Sequence, residues 1–298
     1  MGLLHDKLLR QQQVITAEIA PPKGAGTKRL KEKINLLKPF VTAINITDGQ
    51  RALVRMASWA ACKVVQELGV EPVLQMTCRD RNTIALQADL MGASAMGFPN
   101  LLCLTGDPVK VGDSPESKPV FEIESVGLLK MVSTLQTGTD HHHLKMNAPT
   151  RFFMGAVVNP TLHGSNSQLE RMKAKVAAGA HFFQTQANYD LTDFSRFLNA
   201  ARPLNTPVLA GILVLHSADV AIFLQKEIPG IHLPREIVDR LTRSNDPEQE
   251  GLQIALESML ALEGLCQGFH LMTLKKEHLI PQLIKNYYAN TTLENASL

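Results

Sequence analysis

Asn100-Leu101-Leu102-Cys103-Leu104-Thr105-Gly106-Asp107-Pro108 is an apolar run that stops at a Gly-Asp-Pro turn. Five or six apolar residues bounded by turn formers read as a fully buried strand, and the first charged side chain after them stands at its carboxyl end. Parallel βα folds collect their chemistry at that end. The same pattern recurs on both sides. Upstream, 14–20 closes at Pro21-Pro22, 40–47 ends at Asp48-Gly49, and 72–77 ends at Cys78-Arg79-Asp80. Downstream, 152–158 ends at Asn159-Pro160, followed by apolar runs at 181–186, 207–214 and 268–273.

Helical periodicity fills the intervals at 27–37, 53–68, 83–91, 122–135, 167–178 and 190–201, with three more segments at 217–227, 234–242 and 247–266. In the second of these, Trp59 and Val64 are expected on the apolar side. Residues 109–120, rich in Pro, Gly, Ser and Lys, read as a long loop over the mouth. Eight strands alternating with helices, without a composition break, predict an α/β fold: a single (βα)8 TIM barrel over residues 1–298. An open doubly wound sheet is the alternative.

A hydrophobic content of 45% over 298 residues suffices for a large core. Thirty basic against 28 acidic residues leave a net charge of +2, so charge-driven binding to nucleic acid or a membrane surface lacks support. Aromatics at 5% also disfavour a stacking platform for single strands. No apolar run reaches about 18 residues, and 1–13 is mixed and polar, so a soluble, cytoplasmic protein is expected. Cys62, Cys78, Cys103 and Cys266 lack CxxC spacing and read as buried free thiols. His141-His142-His143 have no Glu or Cys at ligand spacing, which disfavours a metal. Walker, GxGxxG, GxSxG and HExxH motifs are absent from the sequence.

On the barrel reading, Glu18, Asp48, Thr77, Asp80, Asp107, Asn159, Gln186, His216 and Thr273 gather around one mouth. A carboxylate within the apolar strand of Glu18 would be raised in pKa by desolvation and suited to donate a proton. The alternative turns Glu18 outward to a lysine such as Lys23. Asp107 is either a ligand contact or a turn cap. The Gln186 amide, donor and acceptor at once, suits the edge of a heterocycle. His163 and Lys175 could meet phosphates or simply lie in solvent.

Six motifs lie in register at these strand ends: Glu18-Ile19-Ala20-Pro21-Pro22, Thr77-Cys78-Arg79-Asp80, Leu104-Thr105-Gly106-Asp107, residues 175–180 with Gln186, Gly211-Ile212-Leu213, and Phe269-His270-Leu271-Met272-Thr273-Leu274. In this order the chain resembles the methylenetetrahydrofolate reductases over nearly its whole length. The resemblance implies a flavin-bearing barrel, with FAD or FMN, that reduces 5,10-methylenetetrahydrofolate to 5-methyltetrahydrofolate. NADH or NADPH gives hydride to the flavin and leaves before the folate binds. Glu18 matches the acid that protonates the departing folate nitrogen, Asp107 the aspartate that contacts the pterin, and Gln186 the amide that binds folate and nicotinamide in turn. Lys276 stands in for a substrate-binding arginine. The implied cofactor positions are Thr47, Asp48, Gln75, Thr105, Gly106, Asp107, Asn159, His163 and Lys175. Thr105, Gln75 and Ala218 depart from residues common in bacterial members. Some relatives use an accessory electron-transfer subunit or lack flavin. The competing expectations are therefore direct hydride transfer without flavin, or a pterin-binding subunit of a methyl-transfer or electron-transfer complex. A homo-oligomer or an accessory subunit is the expected protein partner.

Overall fold

Side chains alternate across a strand, and in the first one this sorts Val14, Thr16 and Glu18 from Ile15, Ala17 and Ile19. In the computed structural model, which describes residues 2–161, 165–228 and 230–295, the second set packs outward against helices and the first lines a lumen. The strands are β1 (Val14–Ile19), β2 (Ala43–Ile46), β3 (Pro72–Thr77), β4 (Asn100–Leu104), β5 (Phe153–Val158), β6 (Phe182–Thr185), β7 (Val208–Val214) and β8 (Gly268–Thr273). They are parallel and closed in chain order, with β8 returning to β1 through Val14↔Gly268 and Thr16↔His270. Closure in this order is the (βα)8 barrel the sequence predicts.

The helices are α1 (Leu3–Leu9), α2 (Lys28–Leu37), α3 (Ser58–Glu67), α4 (Thr83–Ala95), α5 (Ser125–Gln136), α6 (Ser165–Ala177), α7 (Leu191–Ala201), α8 (Ala218–Glu227), α9 (Arg235–Arg243), α10 (Pro247–Ala261) and α11 (Leu279–Asn295). Two of them are unannounced by the sequence reading. In α1 only Leu4 and Leu8 are buried, a pair too sparse to mark a helix by periodicity. They join Val14, Ala43, Val73, Leu102, Phe153, Phe182 and Leu209 in one apolar cluster that seals the amino end of the lumen. Glu71 accepts from Leu3 N and, at 3.0 Å, from Leu4 N, satisfying donors that the helix cannot. In α11, Leu279, Ile280, Leu283, Ile284 and Tyr287 pack into the main core.

Trp59 corrects another expectation. It is exposed, and α3 buries Ser58, Ala61, Cys62 and Val65 instead. The long loop after β4 does close on its neighbours: Gly112 lies so near Ala52 that a Cβ there would fall 1.9 Å from the Ala52 carbonyl oxygen. Asp113 accepts from Lys23 Nζ at 2.6 Å and Val54 N at 2.8 Å, while Val120 N and Phe121 N donate to the carbonyls of Arg79 and Cys78. All four cysteines are free, and Cys62, Cys78 and Cys103 are buried. Burial raises the Cys78 thiol to about 12 and Cys266 to about 11, far from a reactive thiolate. Among the described residues no helix is long and apolar enough to cross a membrane.

Candidate active site

Above the apolar seal the lumen turns polar. Thr16, Asn45, Gln184 and His270 come from β1, β2, β6 and β8 and are all buried. Asn45 Nδ2 donates to Gln184 Oε1 at 2.8 Å, Gln184 Nε2 donates to Asn45 Oδ1 at 3.2 Å and to Thr16 Oγ1 at 3.4 Å, and Thr16 Oγ1 lies 2.9 Å from His270 Nδ1. Buried polar groups are tolerated because they satisfy one another. These four residues lie beyond those expected from the strand ends. Their signal is legible in retrospect: each is a polar residue set inside an apolar strand.

Glu18 is the next residue upward on the same face of β1. Gln75 Nε2 donates to its Oε2 at 3.0 Å, Gln50 Nε2 to its Oε1 at 3.2 Å, and His270 Nε2 stands 3.6 Å from Oε2. The outward alternative is thereby excluded, since Lys23 pairs with Asp113. The surroundings also differ from the expected apolar pocket: two amides and an imidazole, not hydrocarbon, face the carboxyl group. Its side chain remains 15% exposed, so a ligand at the mouth can reach it. Gln75, expected against a cofactor, instead serves Glu18.

Asp107 is exposed at the rim, where its Oδ2 accepts from Arg51 N at 2.8 Å. The donor sits in a tight turn in which Gly49, Arg51 and Ala52 all have positive φ, at 56°, 56° and 54°. A non-glycine residue holds that conformation only when its surroundings enforce it. Arg51 reaches on across the mouth, its guanidinium 5.1 Å from the centre of the Phe223 ring and 3.6 Å from Glu227, both on α8. Gly106 has φ +97°, and a Cβ on it would lie 3.1 Å from both Thr77 Cβ and Arg79 Cβ. Gly106→Ala should therefore cost about 1–3 kcal/mol, read as a lower urea midpoint; an unchanged midpoint would show that this strand end relaxes freely.

The other expected positions fall into two groups. Gln186 is half-buried just past β6, and its side-chain amide makes no hydrogen bond among the described residues. Thr47, one step above Asn45 on the lumen side of β2, has a buried hydroxyl without a partner, and Thr273 at the end of β8 has another. Of these, Thr47 stands on the lumen face, whereas Thr273, expected at the mouth, shares the outer, helix-facing side of β8 with Phe269 and Leu271. The rest are committed to the protein. Asp48 accepts from Thr77 N, Thr77 Oγ1, Ser58 Oγ and, at 2.7 Å, from Arg81 Nη1. Asp80 holds Arg79 through two bonds, Thr105 Oγ1 accepts from Ser125 N at the start of α5, and Asn159 Oδ1 caps Thr161. Lys276 pairs with Glu248, and His216 Nε2 lies 3.2 Å from the Leu274 carbonyl oxygen. His163 lies outside the described residues.

Lys175 is buried behind the barrel wall, its ammonium 2.6 Å from the carbonyl oxygen of Val157. Desolvation lowers its pKa from 10.5 to about 8, with Arg171 adding repulsion and Cys103 and Glu124 opposing it. Between those values the unfolded chain binds the proton and the folded chain releases it. Stability should therefore rise with pH from about 8 to 10.5, a slope seen in urea midpoints and removed by Lys175→Met. An identical slope in the variant would place the effect elsewhere.

A flavin can be tested against these residues. The orphaned Thr47 hydroxyl fits an added polar group, but the charged and amide positions expected to hold phosphate or ring, namely Asp48, Lys175 and Asn159, are occupied by protein groups. The fit is confined to one hydroxyl. Among the described residues no three His, Cys, Asp or Glu side chains gather as a metal site.

Residues 3–288 match the family model described as methylenetetrahydrofolate reductase. Methylenetetrahydrofolate reductase 1 of Schizosaccharomyces pombe is 24% identical over 302 residues, covering 95% of this chain and 48% of that protein. The 5,10-methylenetetrahydrofolate reductase of Pectobacterium carotovorum subsp. carotovorum is 23% identical over 280 residues, covering 89% of this chain and 87% of that protein. The chain spans about half the length of the yeast and nematode relatives it matches. A solved structure of an uncharacterized protein from Clostridium thermocellum, described as binding two copies of 5-methyl-5,6,7,8-tetrahydrofolic acid, superposes with a TM-score of 0.70 at 17% identity, covering 97% of this chain and all of that one. That likeness is one of fold.

Proposed function

We propose a function from the premise that this chain belongs to the methylenetetrahydrofolate reductase family: it reduces 5,10-methylenetetrahydrofolate to 5-methyltetrahydrofolate, with Glu18 as the acid. The observation that carries this reading is the Glu18 carboxyl group, fixed in the lumen by Gln75 and Gln50 and open toward the mouth. An acid there donates its proton to the departing folate nitrogen, the five-membered ring opens to an iminium, and hydride then completes the methyl group. Asp107 at the rim lies toward the pterin and its carboxylate favours the cationic iminium. Gln186, with its amide unengaged, supplies a donor and an acceptor to the pterin edge. The name of the Clostridium thermocellum protein supports folate as the ligand class.

The family implies FAD or FMN as the bound group that supplies hydride, replenished by NADH, NADPH or an electron-transfer partner. In this chain the Thr47 hydroxyl would face it. The second reading, direct hydride transfer from the nicotinamide, is favoured by the commitment of Asp48, Lys175 and Asn159 to protein groups. In both readings the protein works in the cytoplasm, in one-carbon metabolism.

Purified protein supplied with FAD or FMN, methylenetetrahydrofolate and NADH or NADPH should form methyltetrahydrofolate. Flavin absorbance at near-equal stoichiometry supports the first reading. Turnover without bound flavin supports the second. Methyltetrahydrofolate binding without turnover from either nicotinamide or a dye donor would overturn both in favour of a binding subunit.

A further inference from the structure

The buried polar layer has a direction. Gln184 uses its carbonyl oxygen on Asn45 Nδ2, so only its NH2 is left for Thr16 Oγ1. Thr16 oxygen therefore accepts, and its own proton turns to the remaining partner, His270 Nδ1, at 2.9 Å. With Nδ1 accepting, the ring proton sits on Nε2, the nitrogen that faces Glu18 Oε2 at 3.6 Å. The layer beneath is the apolar seal of Phe153, Phe182, Leu4 and Leu8.

We infer that His270 is a positioning residue for Glu18, held as the Nε2–H tautomer by the Asn45–Gln184–Thr16 chain and presenting that N–H to the carboxylate left when Glu18 has given up its proton. The inference rests on the reading of Glu18 as the acid. The separation of 3.6 Å is longer than a hydrogen bond and short enough for attraction to a charge, so the contact strengthens when Glu18 becomes an anion. Gln75 Nε2, at 3.0 Å from the same oxygen, is the second donor aimed there. The Glu18 proton moves to the folate nitrogen, negative charge appears on Oε1 and Oε2, and two fixed N–H groups already point at Oε2. Glu18 is then reprotonated from water at the mouth, which its partly exposed side chain can reach.

The tautomer is open to direct measurement. Long-range ¹H–¹⁵N correlation spectra of protein labelled in its histidine rings should show His270 neutral and protonated at Nε2, and Thr16→Val should lose this bias. A wild-type ring protonated at Nδ1, or at both nitrogens, would overturn the inference while leaving Glu18 as the acid. In steady state, His270→Leu should lower kcat for folate reduction about 10- to 100-fold, the rate equivalent of one hydrogen bond to a charged group. KM for folate should hold, and His270→Gln, which keeps an N–H, should recover most of the rate. Equal losses in both variants at equal stability would overturn it by showing a packing role. Unaltered folate turnover in Glu18→Gln would remove the acid itself and the inference with it, a result distinct from a wrong tautomer.

Discussion

On the proposed flavin route, Glu18→Gln should keep the uptake of reducing equivalents from the nicotinamide and lose folate reduction by about two to four orders of magnitude, the usual contribution of a positioned general acid. The reason is local. Gln75 and Gln50 are donors to the carboxyl oxygens, and an amide at position 18 still offers one oxygen to accept, so the lumen keeps its shape. What disappears is a proton that can be given away. Only the step that opens the folate ring needs that proton, so the two half-reactions separate: donor oxidation with a dye acceptor should run at the wild-type rate, and transfer to methylenetetrahydrofolate should nearly stop. Stopped-flow traces in which both halves slow together would instead mean that Glu18 organises the mouth as a whole.

The second large effect is on stability. Asp48 was expected at a cofactor, but its carboxylate ties the end of β2 to β3 and to Arg81, whose other contact is Asp89 at 2.7 Å. Both Asp48 and Arg81 are largely buried, at 8% and 15% side-chain exposure. Removing the Asp48 charge weakens the charge-assisted bonds from Arg81 and Thr77 and leaves the largely buried guanidinium with Asp89 as its carboxylate partner, a loss of about 1.5–3 kcal/mol. Asp48→Asn should lower the free energy of urea unfolding by that order, whereas Glu18→Gln should leave it nearly unchanged. A fully stable Asp48→Asn protein with impaired flavin or nicotinamide binding would return Asp48 to the ligand.

The barrel itself was legible because it rests on local chemistry. Apolar runs of strand length, each stopped by Pro, Gly, Asn or Asp, alternate with amphipathic stretches, and a parallel sheet of eight such units has few ways to close. Strand ends are marked by the same residues, which is why Glu18, Asp107 and Gln186 could be named from their positions and all lie at the mouth in the folded chain. The edges of elements were less legible. Periodicity places Trp59 with the core, yet the helix rotates to bury Ala61, Cys62 and Val65, small residues that let it approach β2 and β3.

The sequence by itself determined the fold and the strand ends that form the mouth, Glu18 among them, because each depends on residue type and on spacing along the chain. Tertiary structure alone decided which polar residues remain free for a ligand. Asp48, Asn159 and Lys175 carry the right chemistry, but their partners are Thr77 and Arg81, Thr161, and the Val157 carbonyl, groups the fold brings to them. Likewise His270 lies 254 residues from Thr16, and only closure of β8 onto β1 joins them. A hydrogen bond is satisfied by whichever group arrives at the right distance and angle, and that arrival is a property of the closed barrel.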